Sequence, residues 1–344
     1  MKSDQILPSS CDNFYGFENS QTLPILIIGY RRAEELTRVF SYVRKVLPGR
    51  LFIAMDGPRN IEEQVLTEAA RSVAIREVDW PCQVQFYFAQ DNIGCKGFVL
   101  EALSWFFDNV EVGIVLEDDI LMHHQFPAFA SQMLLHHNVG IVSACTYEKY
   151  LVTGPRPPAF LSKIPSIWGW ACTNTVWNTF LISQHERPRQ LGKMFIKLAM
   201  EIGLWQSLLF SLCLRLVDRG LLNTWDYEFA YFLITHKILC AFPSKSMACN
   251  IGFSPLATHS SALGPLTPPL SSDKLELGNI YSFAPAVDQA YMSNQALNTP
   301  FYPIYRLHVI SGLVAHWFEL MGLPLGKIRA FKSRVLGCLR NSQL

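Results

Sequence analysis

Residues 112–119 read VGIVLEDD, an apolar run that ends in Glu117, Asp118 and Asp119. A short β-branched run bounded by polar residues predicts a buried strand, so the three acids are expected where that strand ends. Adjacent carboxylates repel one another unless a cation or a set of hydrogen-bond donors offsets their charge. A divalent ion is one such offset, and Mg²⁺ commonly takes only one or two protein carboxylates. The alternative is a solvated acidic turn in which Asp118 or Asp119 caps the next helix.

The residues around this strand alternate short apolar runs with stretches of helical periodicity up to Tyr150. Such alternation is typical of parallel strands joined by crossover helices. The sequence therefore predicts an α/β fold with a Rossmann-like, mostly parallel sheet flanked by helices. The predicted strands are LPILIIG, RLFIAMD, CQVQFYFAQ, VGIVLEDD and VGIVSACTY.

Beyond Tyr150 the alternation is lost, and two aromatic clusters follow, IWGWACTNTVW and TWDYEFAYF. We expect an N-terminal extension over 1–22, a sheet-bearing half over 23–150, a half over 151–270 that completes the site, and a C-terminal helical region over 271–344. Trp168 and Trp170 are candidates for stacking on a ligand and equally for the core. The apolar stretch IGLWQSLLFSLCL is too short to cross a bilayer and predicts a buried helix.

The composition of the chain favours a protein with a packed core and disfavours a nucleic-acid-binding protein. Half of the 344 residues are hydrophobic, which supports a packed core, and 29 Lys and Arg against 28 Asp and Glu give no large basic field for nucleic acid. The nine cysteines form no Cys-x-x-Cys pair and have mostly apolar neighbours, which favours buried free thiols. With no apolar signal-peptide core after the first lysine, the sequence predicts a cytoplasmic protein.

The C-terminal stretch HVISGLVAHWFELMGLPLGKIRAFKSRVLGCLR is basic and amphipathic. This pattern fits a peripheral membrane contact, with basic side chains facing lipid head groups. It also fits an ordinary packed terminal helix with one solvated face, which is the simpler interpretation.

Polar side chains follow each of the first four predicted strands. In an open parallel sheet, ligands bind beyond the carboxyl ends of the strands, where connecting loops and helix N-termini converge. These polar residues are therefore expected on one edge of the sheet. They are Arg31 and Arg32, Asp56, Asp91 and Asn92, and Glu117, Asp118 and Asp119.

Seven motifs in order resemble those of GT-A glycosyltransferases, in particular the N-acetylglucosaminyltransferase I group and its bacterial relatives. They are PILIIGYRR, IAMDG, DNIGCKG, VLEDD, the Trp168-Gly169-Trp170 stretch, TWDYEF and NIGFSPLATHS. The resemblance spans about Leu23 to Ser260, which is most of the chain. A GT-A enzyme binds a nucleotide-diphospho-sugar donor on an α/β fold, so the resemblance implies that fold and that class of ligand.

The same resemblance assigns roles to residues of the predicted edge. It implies that Asp119 binds Mn²⁺ or Mg²⁺, while Glu117 and Asp118 approach the sugar and ribose. It implies that Asp56 reads the nucleobase. Arg31 or Arg32 would contact the diphosphate, Asp91 and Asn92 would lie on the nucleotide-sugar side, and His259 would reach the metal or a phosphate.

Asp226 in TWDYEF matches the carboxylate that acts as general base in inverting members of the family. Glu228 is its rival, and two residues that are two positions apart do not share one helical face. At most one of the two carboxylates is therefore expected to face the site.

The function that the resemblance implies is metal-dependent transfer of a sugar from a nucleotide-diphosphate donor, expected to be a UDP-sugar, to a hydroxyl of an unidentified glycan, lipid or protein, with inversion. A sugar nucleotidyltransferase would need a Gly-rich loop after the first strand, where this chain has only Gly29. A non-catalytic sugar-nucleotide-binding module stays open as a second alternative.

Overall fold

The computed structural model describes residues 22–147 and 157–252, which form an α/β fold. Ten strands are present in this part of the chain: β1 (Ile25–Gly29), β2 (Arg50–Met55), β3 (Gln83–Phe88), β4 (Val112–Glu117), β5 (Ile120–Met122), β6 (Val139–Ser143), β7 (Ala159–Ser162), β8 (Trp170–Thr173), β9 (Leu239–Pro243) and β10 (Ala248–Asn250). The helices are α1 (Ala33–Val43), α2 (Ile61–Arg76), α3 (Cys95–Asn109), α4 (Phe126–Met133), α5 (Asn174–Ser183), α6 (Leu191–Ile202), α7 (Leu204–Asp218) and α8 (Asp226–Thr235). A 3-10 turn, Gln184–Glu186, follows α5.

Eight strands form one sheet in the order β3-β2-β1-β4-β8-β6-β9-β7. The first four are mutually parallel, β8 runs antiparallel between β4 and β6, β9 is parallel to β6, and β7 is an antiparallel edge. The predicted α/β fold with a mostly parallel sheet is confirmed. The sheet also continues beyond Tyr150, because β8 and β9 insert next to strands of the first half.

Helices cover both faces of this sheet, and β1 shows why. Ile25 and Ile27 point into a core formed with the buried faces of α1 and α4, whereas Leu26 and Ile28 point into a second core formed with α3, α5 and α8. Alternate residues of a strand face opposite sides, so a strand buried on both faces is apolar throughout. This is why LPILIIG shows no polar alternation.

The carboxyl ends of the parallel strands are level with one another. Gly29 lies opposite Met55, and Ile28 lies opposite Glu117. The backbone N–H of Asp118 donates to Ile28 O at 2.8 Å, and that of Asp56 donates to Gly29 O at 3.1 Å. The polar residues that follow these strands therefore share one edge of the sheet, as the sequence predicted.

A second, two-stranded sheet brings a late segment of the chain to this edge. β5, directly after the acidic run, pairs antiparallel with β10. The N–H of Ile251 then donates to the carbonyl of Asp119 at 2.8 Å. Residues far apart in the sequence thus meet at the end of β4.

The remaining predictions concern the cysteines, the apolar stretch IGLWQSLLFSLCL and the domain bounds. The cysteines of the described residues are free thiols, and Cys145, Cys172, Cys213 and Cys240 are buried. The helix predicted over IGLWQSLLFSLCL begins at Leu204 and is not fully buried, because Leu204 and Trp205 are exposed. No helix in residues 22–147 and 157–252 is long and apolar enough to cross a membrane. Of the predicted divisions, the boundary at 150, residues 1–21 of the extension over 1–22, residues 253–270 of the second half and the whole region over 271–344 lie outside the described residues.

The ends of β2 and β3 are in close contact through Gly57. A Cβ atom at this position would lie 2.4 Å from the carbonyl carbon and oxygen of Asp91. We expect Gly57→Ala to lower the free energy of unfolding by about 2 kcal/mol, because the clash is with backbone and cannot be relieved by a side-chain rotation. Urea unfolding followed by circular dichroism measures the change.

Gly49→Ala is the matched control, since a Cβ there has nothing within 4 Å. It should leave the urea midpoint close to that of the parent. A Gly57→Ala protein as stable as Gly49→Ala would contradict the close approach of the two loops.

Candidate functional site

The acidic run lies where β4 ends, on the edge shared by the parallel strands. Glu117 is the last residue of β4 and is partly exposed, whereas Asp118 and Asp119 are buried, with 2% and 5% of their surface exposed. Burial raises the pKa of Glu117, and the negative charge of Asp119 raises it further. Burial likewise raises the pKa of Asp119. Such a group of carboxylates requires cationic or hydrogen-bonding partners.

Arg32 is the principal partner of this acidic run. Its guanidinium donates to Asp118 Oδ1 through Nη2 and to Asp119 Oδ2 through Nη1, the latter at 2.6 Å. The second oxygen of Asp118 accepts the backbone N–H of Tyr30 at 3.0 Å. Although burial opposes the shift, the charges of Asp118 and Asp119 raise the pKa of Arg32 above its usual value. Arg32 thus offsets part of the repulsion among the acids.

One oxygen of the run is left without a donor. Asp119 Oδ1 is buried and has no hydrogen-bond partner within the part of the chain that the structure describes. Buried carboxylate oxygens are normally satisfied, so an unpartnered one indicates a place for a cation or a ligand donor. Asp119 fits a single carboxylate ligand of a hard divalent ion, which completes its shell with water or phosphate oxygens. Within residues 22–147 and 157–252, no cluster of three or more metal-ligating side chains exists.

Gly252 closes one side of this group. A Cβ atom at Gly252 would lie 1.8 Å from Asp119 Oδ2 and 2.7 Å from Arg32 Nη1. Only a residue without a side chain fits there, so the segment after β10 lies directly against the ion pair. His259, predicted to reach the metal or a phosphate, lies outside the described residues.

Asp56 holds two loops together. Its Oδ1 accepts the N–H groups of Gly57 and Ile93 at 2.8 and 2.9 Å, and its Oδ2 accepts the N–H of Gly94 at 3.0 Å and the Nδ2 of Asn92 at 2.9 Å. Two donors on each oxygen use the usual accepting capacity of a carboxylate. Asp56 therefore fixes the loop before α3, and a nucleobase donor would have to displace one of these bonds. Asp91 is exposed beside this loop.

The two adjacent arginines point to different partners. Arg31 donates through Nη1 to Glu63 Oε1 at 2.5 Å, while Arg32 binds the acidic run. Glu63 also accepts from the Tyr30 hydroxyl and from Arg59, whose Nε lies 2.9 Å from Oε2. Arg31 is therefore directed to the start of α2, and Arg32 is the arginine that contacts the acids.

Glu63 is a residue of this region that the sequence analysis did not single out. It occupies the third position of α2 after the N-cap Asn60, whose side chain accepts the Glu63 N–H at 2.9 Å. An acid three residues after a capping residue is a helix-start signal. The motif is the sequence signal available for this cap, but it gives no sign that Tyr30 and Arg31 converge on the same carboxylate.

Asp226 and Glu228 have different surroundings. Asp226 is the first residue of α8 and is partly exposed, and the Thr224 hydroxyl donates to its Oδ1. Its charge is the smallest of those that raise the pKa of Glu117, after burial and the charges of Asp119 and Asp118. Glu228 is buried and forms ion pairs with Lys96 and, at 2.8 Å, with Arg187. The two acids lie on different faces of α8, as the spacing predicted.

Cys95 also lies among these charges, at the first position of α3. Burial, followed by the charges of Glu117 and Asp226, raises the pKa of its thiol to about 12. The thiol is therefore neutral near pH 7 in the ion-free protein, which makes it a poor nucleophile.

Trp168 and Trp170 differ in their burial and in their contacts. Trp170 is buried and packs against Trp225 and Phe229 at centroid distances of 5.9 and 5.6 Å, so it belongs to the core. Trp168 is partly exposed and contacts the Tyr147 ring at 6.1 Å.

Comparisons with known proteins give distant structural likeness only. No protein-family model matches the chain, and no curated protein matches it. Mannosyltransferase PcManGT from Pyrobaculum calidifontis, solved in complex with GDP-Man and Mn²⁺, is similar with a TM-score of 0.39 at 10% identity, over 88% of this chain and 88% of its own. S. aureus TarS 1-349 is similar with a TM-score of 0.36 at 8% identity, over 66% of this chain and 59% of its own.

A third solved structure, 4-diphosphocytidyl-2C-methyl-D-erythritol synthase from Anaerococcus prevotii, has a TM-score of 0.30 at 10% identity, over 47% of this chain and 76% of its own. Likeness of this size establishes no function, so the chemistry has to be argued from the site.

The Glu63 contacts predict a pH-dependent contribution to stability. Hydrogen bonds from Arg59 hold the pKa of Glu63 at about 2, against a usual 4.5, although burial opposes them. A carboxyl whose pKa is lowered by folding stabilises the protein above its unfolded pKa, and this stabilisation is lost as the pH falls from about 4.5 to about 2. We expect Glu63→Gln to lower the free energy of unfolding at pH 7 by about 2 kcal/mol.

The difference between parent and Glu63→Gln should shrink as the pH falls towards 3, as measured by urea unfolding across the pH range. Glu68→Gln, also on α2 but exposed, is the control and should change little. A difference that stays constant from pH 7 to pH 3 would show that the Glu63 charge makes no contribution.

Proposed function

We propose that this chain is a glycosyltransferase that moves a sugar from a nucleotide-diphosphate donor to an acceptor hydroxyl with the help of Mn²⁺ or Mg²⁺. The observation that carries the proposal is the buried Oδ1 of Asp119, which has no hydrogen-bond partner among residues 22–147 and 157–252 and lies beside the Arg32 guanidinium at the carboxyl ends of parallel strands. This combination supplies one hard ligand for a cation and one planar donor for phosphate oxygens. The GT-A motifs of the sequence support the same assignment, with a UDP-sugar as the expected donor.

Arg32 is suited to hold the diphosphate. A guanidinium carries five N–H donors, and the bonds to Asp118 and Asp119 use its two terminal nitrogens. Its side chain is 13% exposed, so phosphate oxygens can reach it from the open side of the edge. Arg31 is directed to Glu63 at the start of α2, whereas Arg32 lies on Asp119 itself, and this position favours Arg32 as the diphosphate contact of the pair.

A divalent ion bound at Asp119 would supply charge for the leaving diphosphate. Glu117, partly exposed beside it, is placed to approach the sugar or ribose, in keeping with the resemblance. Asp56 fixes the backbone of the loop before α3, so its contribution to nucleobase recognition includes the shape of that loop as well as any direct contact.

Asp226 is the proposed general base. It is partly exposed at the start of α8, and it stands directly after a tryptophan in TWDYEF, the motif that matches the base of inverting GT-A enzymes. As a base it would take the proton of the acceptor hydroxyl while that oxygen attacks the anomeric carbon and the diphosphate leaves, which inverts the configuration. Glu228 is buried in ion pairs with Arg187 and Lys96, a structural role that argues against it as the base.

Two other classes use similar architecture. A nucleotidyltransferase is disfavoured because residues 30–32, which join β1 to α1, include no glycine, and Gly29 is the last residue of β1. A sugar-nucleotide-binding module without catalysis would bind the donor and leave it intact. Slow hydrolysis of a UDP-sugar that requires Mn²⁺ and Asp226 would identify an enzyme, whereas binding with no turnover would identify a module.

The site predicts metal-dependent nucleotide binding. We expect the Kd for UDP to rise by about tenfold or more when Mn²⁺ is replaced by a chelator. A loss of about 1.4 kcal/mol of binding free energy is enough to raise the Kd by that factor. Asp119→Asn should remove this metal dependence while the protein stays folded. Isothermal titration calorimetry measures both effects.

Asp108→Asn, an exposed carboxylate near the end of α3, is the matched control and should bind like the parent. Equal affinity for UDP with Mn²⁺ and with chelator would reject Asp119 as a metal ligand.

The proposed role of Asp226 as general base predicts that its substitution lowers catalysis and leaves nucleotide binding nearly unchanged. Asp226→Asn should leave UDP affinity within a few-fold of the parent while transfer or donor hydrolysis falls by about a hundred- to ten-thousand-fold, since the amide cannot accept the proton. Steady-state kinetics with the best donor from a nucleotide-sugar screen measures kcat and KM.

Glu228→Gln is the decisive comparison. It should lower thermal stability, because it breaks a buried ion pair, and should leave kcat near the parent value where the protein is folded. If Glu228→Gln is the inactive variant, or if NMR of the product shows retained configuration, the base is not Asp226.

A further inference from the structure

Helix α6 has two apolar faces, although only one is buried. Met194, Leu198 and Ile202 face inward and pack in a cluster with Leu214 of α7 and Tyr231 of α8. On the outer side, Ile196 and Met200 are 61% and 73% exposed. An amphipathic helix normally directs polar residues to solvent, so two large exposed hydrophobic residues on this side are unusual.

The apolar surface continues into α7. Gly203 has a φ of 83° and ends α6, and the next two residues, Leu204 and Trp205, are 70% and 47% exposed. Ile196, Met200, Leu204 and Trp205 are called here the α6–α7 apolar face. Four large, exposed hydrophobic side chains that lie this close in the sequence on either side of one helix corner indicate a binding surface.

The charges that α6 itself carries on this side are positive, and Glu186 is an acid from outside α6 that borders Lys197 and Met200. Lys193 and Lys197 are exposed on α6 at helical spacing with Ile196 and Met200, so they flank the same side. The only acid of α6 is Glu201, and it is held by Lys163 at 2.8 Å and Lys237 at 3.7 Å. The face therefore combines hydrophobic side chains with a basic border.

Helix α2 provides an internal contrast. Ile61 and Val65 are 75% and 68% exposed there, and the acids Glu62 and Glu68 lie beside them. Both helices thus have exposed hydrophobic residues, and the charge beside these residues is what differs. The acidic border of α2 disfavours an anionic partner. The basic border distinguishes α6.

We propose that the α6–α7 apolar face docks on an anionic phospholipid surface. Hydrophobic side chains enter the boundary between head groups and acyl chains, tryptophan prefers that boundary, and lysines contact acidic head groups. The short α6 and the start of α7 lie on the membrane in this arrangement and do not cross it. The proposal is independent of the function argued above.

Sedimentation of the full chain with vesicles tests this proposal. We expect the protein to co-sediment with phosphatidylcholine vesicles that contain phosphatidylglycerol, to bind pure phosphatidylcholine vesicles much less, and to be released by high salt. Met200→Ser combined with Trp205→Ser should weaken binding by about tenfold or more, since both side chains enter the bilayer boundary.

A second variant, Lys193→Glu with Lys197→Glu, should lose the preference for phosphatidylglycerol and keeps the proposal testable if the first variant fails to fold. Ile61→Ser with Val65→Ser on α2 is the matched control and should bind like the parent. Thermal unfolding confirms that each variant is folded.

Three outcomes would overturn the proposal. The first is that the parent chain fails to bind vesicles of either composition. The second is that both α6–α7 variants bind as tightly as the parent, which would assign binding to another part of the chain. The third is that sedimentation shows a dimer that the Met200 and Trp205 changes dissociate, which would assign the face to a second copy.

Discussion

Arg32 lies between the carboxylates of Asp118 and Asp119 at the point where β1 and β4 end. Without this cation, two buried acids beside a third would repel one another across a poorly solvated edge. The ion pair also ties the loop after β1 to the end of β4, with the Tyr30 N–H bond to Asp118 as a second link. The acidic run and the loop after β1 are therefore held together by the same contacts.

The ion pair offsets the acidic charge only in part, which is what makes the site suitable for a ligand. Arg32 engages one oxygen of Asp119 and leaves the other without a donor among the described residues. A site with complete internal pairing would have little to gain from a cation, whereas an unpaired buried oxygen is stabilised by one. The close approach of Gly252 keeps this side of the pair free of side chains.

Much of the fold could be predicted because its signals are local. The strand at 112–117 and the acids after it form one continuous pattern, and their place on the sheet edge follows from the alternation of strands and helices. β8 could not be predicted, since WACT has four residues, is buried on both faces and shows no alternation. Its insertion between β4 and β6 depends on packing with α3 and α5, which sequence periodicity does not describe.

The position of the polar residues on one edge of the sheet was more predictable than their contacts. Strand ends located the arginines and acids, but the backbone direction after Gly29 decides that Arg31 faces Glu63 and Arg32 faces Asp118. Glu63 lies more than thirty residues from Tyr30 and Arg31, so no local pattern connects them. Asp56 looked like a ligand-binding acid, and only the structure reveals four donors on its carboxylate.

The central claim is that the Arg32 and Asp119 pair forms the donor site. A crystal structure of the full chain with UDP and Mn²⁺ tests it most directly, because anomalous scattering locates the manganese. The account predicts manganese in contact with Asp119 Oδ1 and a diphosphate oxygen bonded to the Arg32 guanidinium. Manganese or nucleotide bound elsewhere, with the Arg32 and Asp119 pair unchanged and without ligand, would contradict it.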